Sequence, residues 1–237
     1  MKIFLCFSSG DRYTAVNSIL YNLKHYGVPV WYDYHELTLG DDRIVGNFNE
    51  GLNLCDYAVV ILSPNMFGCK CGNDELEEIQ KRYINNTIHI FPLFYNVKAN
   101  ELPARYSWLT SLIYNEIEDD SGTLPACNQI VYQIVKDEMN SLNIQSLNGF
   151  INVSDSYISS ALQIYNQTDG DNFNARFTIL YMIYLYISER NNSISEMHKC
   201  ILQRMCKLNQ LNISFPHKEI LIIEAILIII LNNCFDI

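Results

Sequence analysis

Short apolar runs alternate with segments of helical period through the first 140 residues, and only the helical period continues beyond them. Residues 2–7 read as a compact buried strand, followed by a turn at 8–11 and by Val16, Ile19, Leu20 and Leu23 at helical spacing. Gly27 stops that helix, and residues 28–32 form a second strand. A polar loop at 33–42 leads into a helix carrying Ile44, Phe48 and Leu52; residues 57–62 then make the most apolar strand, ended by Ser63 and Pro64. A loop rich in Cys and Gly precedes a helix opening at Asn73 or Asp74. Residues 88–94 read as a fourth strand and 112–114 as a weaker fifth, and Val131, Ile134, Val135 and Met139 mark one face of a closing helix. This alternation predicts an α/β unit, a parallel sheet covered by helices.

Around residues 140–153 the chain turns polar and rich in Asn and Ser, which predicts a linker. Beyond it, residues 154–165, 174–188, 195–208 and 217–231 read as helices, with breaks at 168–170 and 211–216. The expected organisation is one α/β domain over residues 1–142 and a helical domain over 150–237. The run 220–231 holds twelve residues and is interrupted by Glu224, short of the roughly 20 that span a bilayer. It predicts a buried helix rather than a membrane anchor.

With 26 acidic against 16 basic residues the formal net charge is −10, and no Lys/Arg cluster stands out. That argues against a nucleic-acid groove built on phosphate contacts. Eight cysteines are scattered, and the close pair Cys69 and Cys71 lacks a second pair or nearby histidine to complete a zinc site. The apolar run 3–7 is too short for a secretory leader. The expectation is a cytoplasmic chain with reduced thiols and no bound metal. The five histidines show no metal or triad spacing, and neither a G-x-S-x-G elbow nor a Walker loop occurs.

In an open parallel sheet, ligands bind beyond the carboxyl ends of the strands, where strand order reverses. A flavodoxin-like order 2-1-3-4-5 puts that crevice between the first and third strands, so loops 8–12 and 63–75 become the candidate site.

The same loops carry a resemblance. Phe4-Leu5-Cys6-Phe7-Ser8-Ser9-Gly10-Asp11 is similar to the opening of TIR domains. Val30-Trp31-Tyr32-Asp33, then Glu36-Leu37 and Gly40-Asp41, resemble their second strand and BB loop. Glu50-Gly51-Leu52, Cys55-Asp56-Tyr57 and Leu62-Ser63-Pro64-Asn65 resemble the third-strand stretch; Asp74-Glu75-Leu76 resembles the start of the next helix, and Phe91-Pro92-Leu93-Phe94-Tyr95 the fourth strand. The resemblance covers residues 1 to about 140. Two departures stand out: Cys69 to Asn73 replaces the family tryptophan, and Leu39 stands beside Gly40 where a proline is usual.

This resemblance implies the TIR fold, a five-stranded parallel sheet, here with an all-helical C-terminal extension. It further implies an NAD glycohydrolase or cyclase acting at the nicotinamide–ribose bond, with Glu75 as the catalytic carboxylate, NAD as substrate and no cofactor. Glu75 also fits a first-turn acid favoured by the helix macrodipole by about 0.3–1 kcal/mol, and Asp74 with Glu77 fits a capping box. The two roles are compatible, since a helix N-terminus keeps a carboxylate ionised. Phe7 ends a core strand or, with Tyr32, stacks near the nicotinamide or ribose. Ser8 and Asp11 serve as turn and cap residues or bind ribose or amide. Arg12 is a solvated first-turn residue or pairs with phosphate; Asp33 closes a turn or faces the substrate; Cys71 lines the pocket or is incidental. Members of the family associate through their TIR domains. A short TIR chain with a helical companion resembles the signal-producing subunits of Thoeris-like bacterial antiphage systems, whose product activates a separate effector. The alternatives are a non-enzymatic adaptor working by TIR–TIR contact and a sensor working through the helical part.

Overall fold

A computed structural model describes residues 1–43, 45–191, 194–210 and 216–235. Five strands, β1 (Ile3–Cys6), β2 (Val30–Trp31), β3 (Tyr57–Leu62), β4 (His89–Tyr95) and β5 (Asn115–Ile117), form one sheet in the order β2-β1-β3-β4-β5. Every pairing is parallel, with Ile3 opposite both Val30 and Tyr57, and Tyr57 opposite His89. Parallel sheets are covered on both faces, so their central strands are apolar without alternation; every residue of β1 and β3 is buried.

The helices of this part of the chain are α1 (Asn17–His25), the short α2 (Asp33–Glu36) and α3 (Pro64–Phe67), and α4 (Lys70–Ile84); α5 (Thr123–Asn140) follows β5. Side chains alternate along a strand. Ala58, Val60 and Leu62 of β3 therefore share one core with Phe4 and Cys6 of β1 and with Leu76 and Ile79 of α4.

The chain divides into two compact units, Met1–Lys24 with Val28–Cys127 and His25–Gly27 with Asn128–Ile237, so the division runs within α5. In the second unit, α6 (Ser156–Gln167), α7 (Phe173–Ser188), α8 (Glu196–Gln210) and α9 (Pro216–Phe235) follow in order. Leu180, Ile183 and Ile187 of α7 are buried, as are Ile222, Ile223, Ile226 and Leu227 of α9. Glu224 interrupts that apolar helix, and its charge is met by Arg176 Nη2 at 2.9 Å and by the Tyr165 hydroxyl. His198 is buried with Nε2 3.1 Å from Glu138 Oε2, a structural role. Among the described residues no helix is long and apolar enough to cross a membrane.

Several sequence expectations need correction. The fifth strand is Asn115–Ile117, not 112–114; Leu112 and Tyr114 are partly buried against the core without joining the ladder. The loop 33–42 opens with a helical turn, α2. The helix expected around Phe48 is a wide, π-type segment, Val45–Gly51, and Ile44 lies outside the described residues. The polar stretch 140–153 is no bare linker, because Leu147 and Phe150 anchor it by burial. The expected break at 211–216 falls almost wholly outside the described residues.

Candidate active site

The reversal of strand order lies between β1 and β3, and the loops leaving their carboxyl ends define the site. After β3, Ser63 caps α3 by accepting the Met66 N–H at 3.3 Å, with Pro64 in the first turn where its missing N–H costs nothing. Cys69 then caps α4, its Sγ accepting the Gly72 N–H at 3.5 Å. The helix therefore begins at Lys70, ahead of the expected start at Asn73 or Asp74, and its first turn holds no acid. Glu75 sits in the second turn, so neither the first-turn dipole argument nor the Asp74–Glu77 capping box applies. Cys71 precedes Glu75 by four residues and shares its helix face.

Gly72 explains how closely this helix approaches β1. A Cβ there would lie 2.5 Å from Met66 Sδ and 3.2 Å from the Phe7 carbonyl oxygen. The contact brings Glu75 over the end of β1, where Cys6 Sγ lies 3.6 Å from the Gly72 carbonyl oxygen. Burial, reinforced by the neighbouring Glu75, pushes the Cys6 thiol well above its ordinary range.

A cleft of about 90 Å³ opens at this point. Phe7, Arg12, Asp33, Arg43, Asn47, Cys71 and Glu75 are among its lining residues. Glu75 is only 7% exposed, and its Oε1 accepts a hydrogen bond from Asn47 Nδ2 at 2.9 Å. Burial pushes its carboxyl up to about 7. Arg43 and the Asn47 bond pull it down, while Asp33 and Asp74 push it up. Desolvation therefore dominates, and the expectation that a helix terminus simply keeps this group ionised is replaced by a carboxyl poised at neutrality. Also in the lining, Arg12 stands 3.9 Å from Asp33 and lies over the Tyr34 ring at 4.5 Å.

The structure thus brings together Glu75, Phe7, Arg12, Asp33 and Cys71. It sets three other candidates apart from the cleft lining. Ser8 is buried and caps the following turn through the Gly10 N–H; Ser9 is the serine that lines the cleft. Asp11, 2% exposed, accepts hydrogen bonds from Ser63 Oγ at 2.5 Å and Asn65 Nδ2 at 2.7 Å, clasping the two loops together. Tyr32 is buried behind Phe7, with ring centroids 5.6 Å apart. The sequence reading missed Asn47 and Arg43. A polar residue one position from Phe48, in a segment of helical period, was the available signal for Asn47. Among the described residues no group of three or more His, Cys, Asp or Glu is placed to hold a metal ion.

A buried carboxyl near its midpoint at neutral pH, facing a cleft edged by guanidinium groups, suits a reaction that develops charge in a dry environment.

Comparison with known proteins places these features in a family. The model of the TIR domain matches residues 3–123. The chain is 34% identical over 106 residues to the NAD(+) hydrolase TcpC of Escherichia coli, covering 44% of this chain and 34% of that protein. It is 28% identical over 99 residues to the 2' cyclic ADP-D-ribose synthase BtTIR of Bacteroides thetaiotaomicron, covering 42% and 34%. The TIR domain of the Toll-related receptor TRR-2 from Hydra magnipapillata aligns at a TM-score of 0.43 and 18% identity, over 56% of this chain and 95% of that one. The chain spans about a third of the length of the curated relatives it matches.

Proposed function

The chain belongs to the TIR domain family, and we propose that it cleaves NAD at the nicotinamide–ribose bond with Glu75 as the catalytic carboxylate. The observation that carries this reading is the burial of Glu75 at the strand-order switch, in a cleft edged by Arg12 and Arg43. The names of the relatives, a hydrolase and a cyclase of this chemistry, support it.

In the proposed reaction the C1′–N bond breaks and its electron pair leaves with neutral nicotinamide. The ribosyl centre becomes oxocarbenium-like, and the ionised Glu75, shielded from water, stabilises that charge directly or through the ribose hydroxyls. Capture by water, with loss of its proton, gives ADP-ribose; capture by a nucleophile within the same molecule gives a cyclic product. NAD is the substrate, and the reaction draws on no cofactor.

The cleft volume of about 90 Å³ is well below the 300–1,000 Å³ of sites that enclose drug-sized ligands. It takes the reactive end of the dinucleotide, and the rest lies across the mouth near the two arginines. A second copy covering that mouth, by TIR–TIR association, is part of this proposal. So are a cytoplasmic location, a role in bacterial antiphage signalling and a separate effector that responds to the product. Leu39, fully exposed beside Gly40 at φ 103°, is the observation that favours the adaptor alternative.

The test is incubation of the purified chain with NAD and identification of products by mass spectrometry, beside Glu75→Gln. Loss of turnover in a folded Glu75→Gln protein is expected. Wild-type turnover in that variant removes Glu75 from the mechanism, and absence of turnover in the wild type, alone and at high concentration, favours the adaptor.

A further inference from the structure

Asn47 lies in the segment Val45–Gly51 and is 1% exposed. The two ends of its amide meet different neighbours. One faces Trp31 Nε1 at 3.4 Å, and the other faces Glu75 Oε1 at 2.9 Å. An indole N–H can only donate, so the amide oxygen must face Trp31 and the NH₂ must face Glu75. This assignment follows from chemistry and needs no observation of hydrogens. Turning the amide over would set two donors against each other at Trp31 and, with Glu75 ionised, two acceptors at the carboxylate.

The approach of the indole to this segment depends on Gly51. A Cβ at position 51 would lie 2.5 Å from Trp31 Nε1 and 2.6 Å from Cε2, inside any permissible contact. Trp31 itself is core, 6% exposed, so its ring is held by packing independently of Asn47.

We infer that Asn47 is a positioning residue of the site: locked by the Trp31 indole, its amide holds the Glu75 carboxylate in one orientation toward the cleft and favours its ionised form. This rests on the reading of Glu75 as the catalytic carboxylate. Of the ionisable groups that act on Glu75, Arg43 favours the anion, while Asp33 and Asp74 oppose it. From β1, the Cys6 thiol lies beside the carboxyl, with its proton directed to the Gly72 carbonyl oxygen. Asn47 contributes a neutral donor, so its bond persists across the pH range in which Glu75 titrates.

The experiment compares Asn47→Leu, Trp31→Phe and wild type by the pH dependence of kcat/KM for NAD. Circular dichroism and unfolding midpoints confirm the fold of each. In the wild type, activity rises with pH along an acid limb near 7, where Glu75 ionises. Asn47→Leu removes one hydrogen bond to a charged group. The expected result is about a tenfold loss in kcat and an acid limb displaced upward by about one pH unit. Trp31→Phe keeps an aromatic ring but frees the amide to turn, and moves both quantities in the same direction by less. A folded Asn47→Leu protein whose activity drops with no movement of the limb, or does not drop, overturns the inference.

A second readout separates this inference from the reading it rests on. The Glu75 carboxyl is followed directly by carbon NMR, assigned by its disappearance in Glu75→Gln. If the wild type fails to consume NAD, the function is wrong, yet Asn47→Leu must still raise the Glu75 midpoint. An unchanged midpoint overturns the positioning role whatever the enzyme does.

Discussion

Replacing Glu75 by glutamine is expected to make the sheet unit more stable while removing its proposed activity. Glutamine keeps an oxygen to accept the Asn47 N–H and has nearly the same shape, so packing changes little. What changes is the cost of an ionised group held at 7% exposure. The carboxyl moves from an ordinary 4.5 in the unfolded chain to about 7 in the fold. Between these values the folded state keeps a proton that the unfolded state has released. Stability from this group is therefore highest below pH 4.5, falls as pH rises toward 7, and levels off above it. At 1.36 kcal/mol per tenfold in proton affinity, the penalty is about 3 kcal/mol at pH 8 and about 1 kcal/mol at pH 5. Both tryptophans, Trp31 and Trp108, lie in the sheet unit, so their fluorescence reports its urea unfolding. With a urea slope of about 2 kcal/mol per molar, the Glu75→Gln midpoint should exceed wild type by about 1.5 M at pH 8 and by about 0.5 M at pH 5. Equal differences at the two pH values would refute the assignment of this cost to Glu75, as would a variant less stable than wild type at pH 8. Sites that trade stability for a perturbed group behave in this way.

Gly72→Ala forces a methyl against Met66 Sδ and the Phe7 carbonyl; the expected cost is about 1–3 kcal/mol in urea unfolding, with turnover falling as α4 moves off β1. Asp11→Ala leaves the Ser63 hydroxyl and the Asn65 amide without their acceptor, which should cost about 2–3 kcal/mol, with Asp11→Asn costing less. Because Asp11 clasps loops and is not among the cleft-lining residues, KM for NAD in folded Asp11→Asn should match wild type; a tenfold rise would return Asp11 to the substrate.

Much of the sheet was legible because doubly covered parallel strands must be apolar throughout, and β1 and β3 are. The fifth strand was misplaced for the converse reason. An edge strand needs few core residues, and in β5 Ile117 is buried while Glu116 turns outward to Lys98 at 3.4 Å. Apolarity peaks instead at Leu112 and Tyr114, which pack without pairing. The start of α4 was misread because its cap is a thiol, outside the usual set of capping side chains, while Asp74 and Glu77 imitate a capping box further along. Motif and topology together pointed to Glu75. Its environment was not legible, since Asn47 stands 28 residues away in sequence and approaches only through the fold. Ser8 reads as ligand or turn residue with equal ease, whereas Asp11 reads first as a turn and cap residue; their contacts in the fold are the cap to Gly10 and the clasp to Ser63 and Asn65.

The missing side chain at position 51 and the indole at position 31 also bear on how such a site can change over generations. Alanine at 51 is tolerable only once a smaller ring has replaced the indole, so the order of the two substitutions matters: the tryptophan must go first. A lineage that takes that first step loses the donor that orients Asn47, and then loses any selective reason to keep glycine. Positions 31 and 51 should therefore covary among relatives, with an asymmetry: glycine beside a smaller aromatic is a permissible intermediate, and alanine beside tryptophan is a dead end.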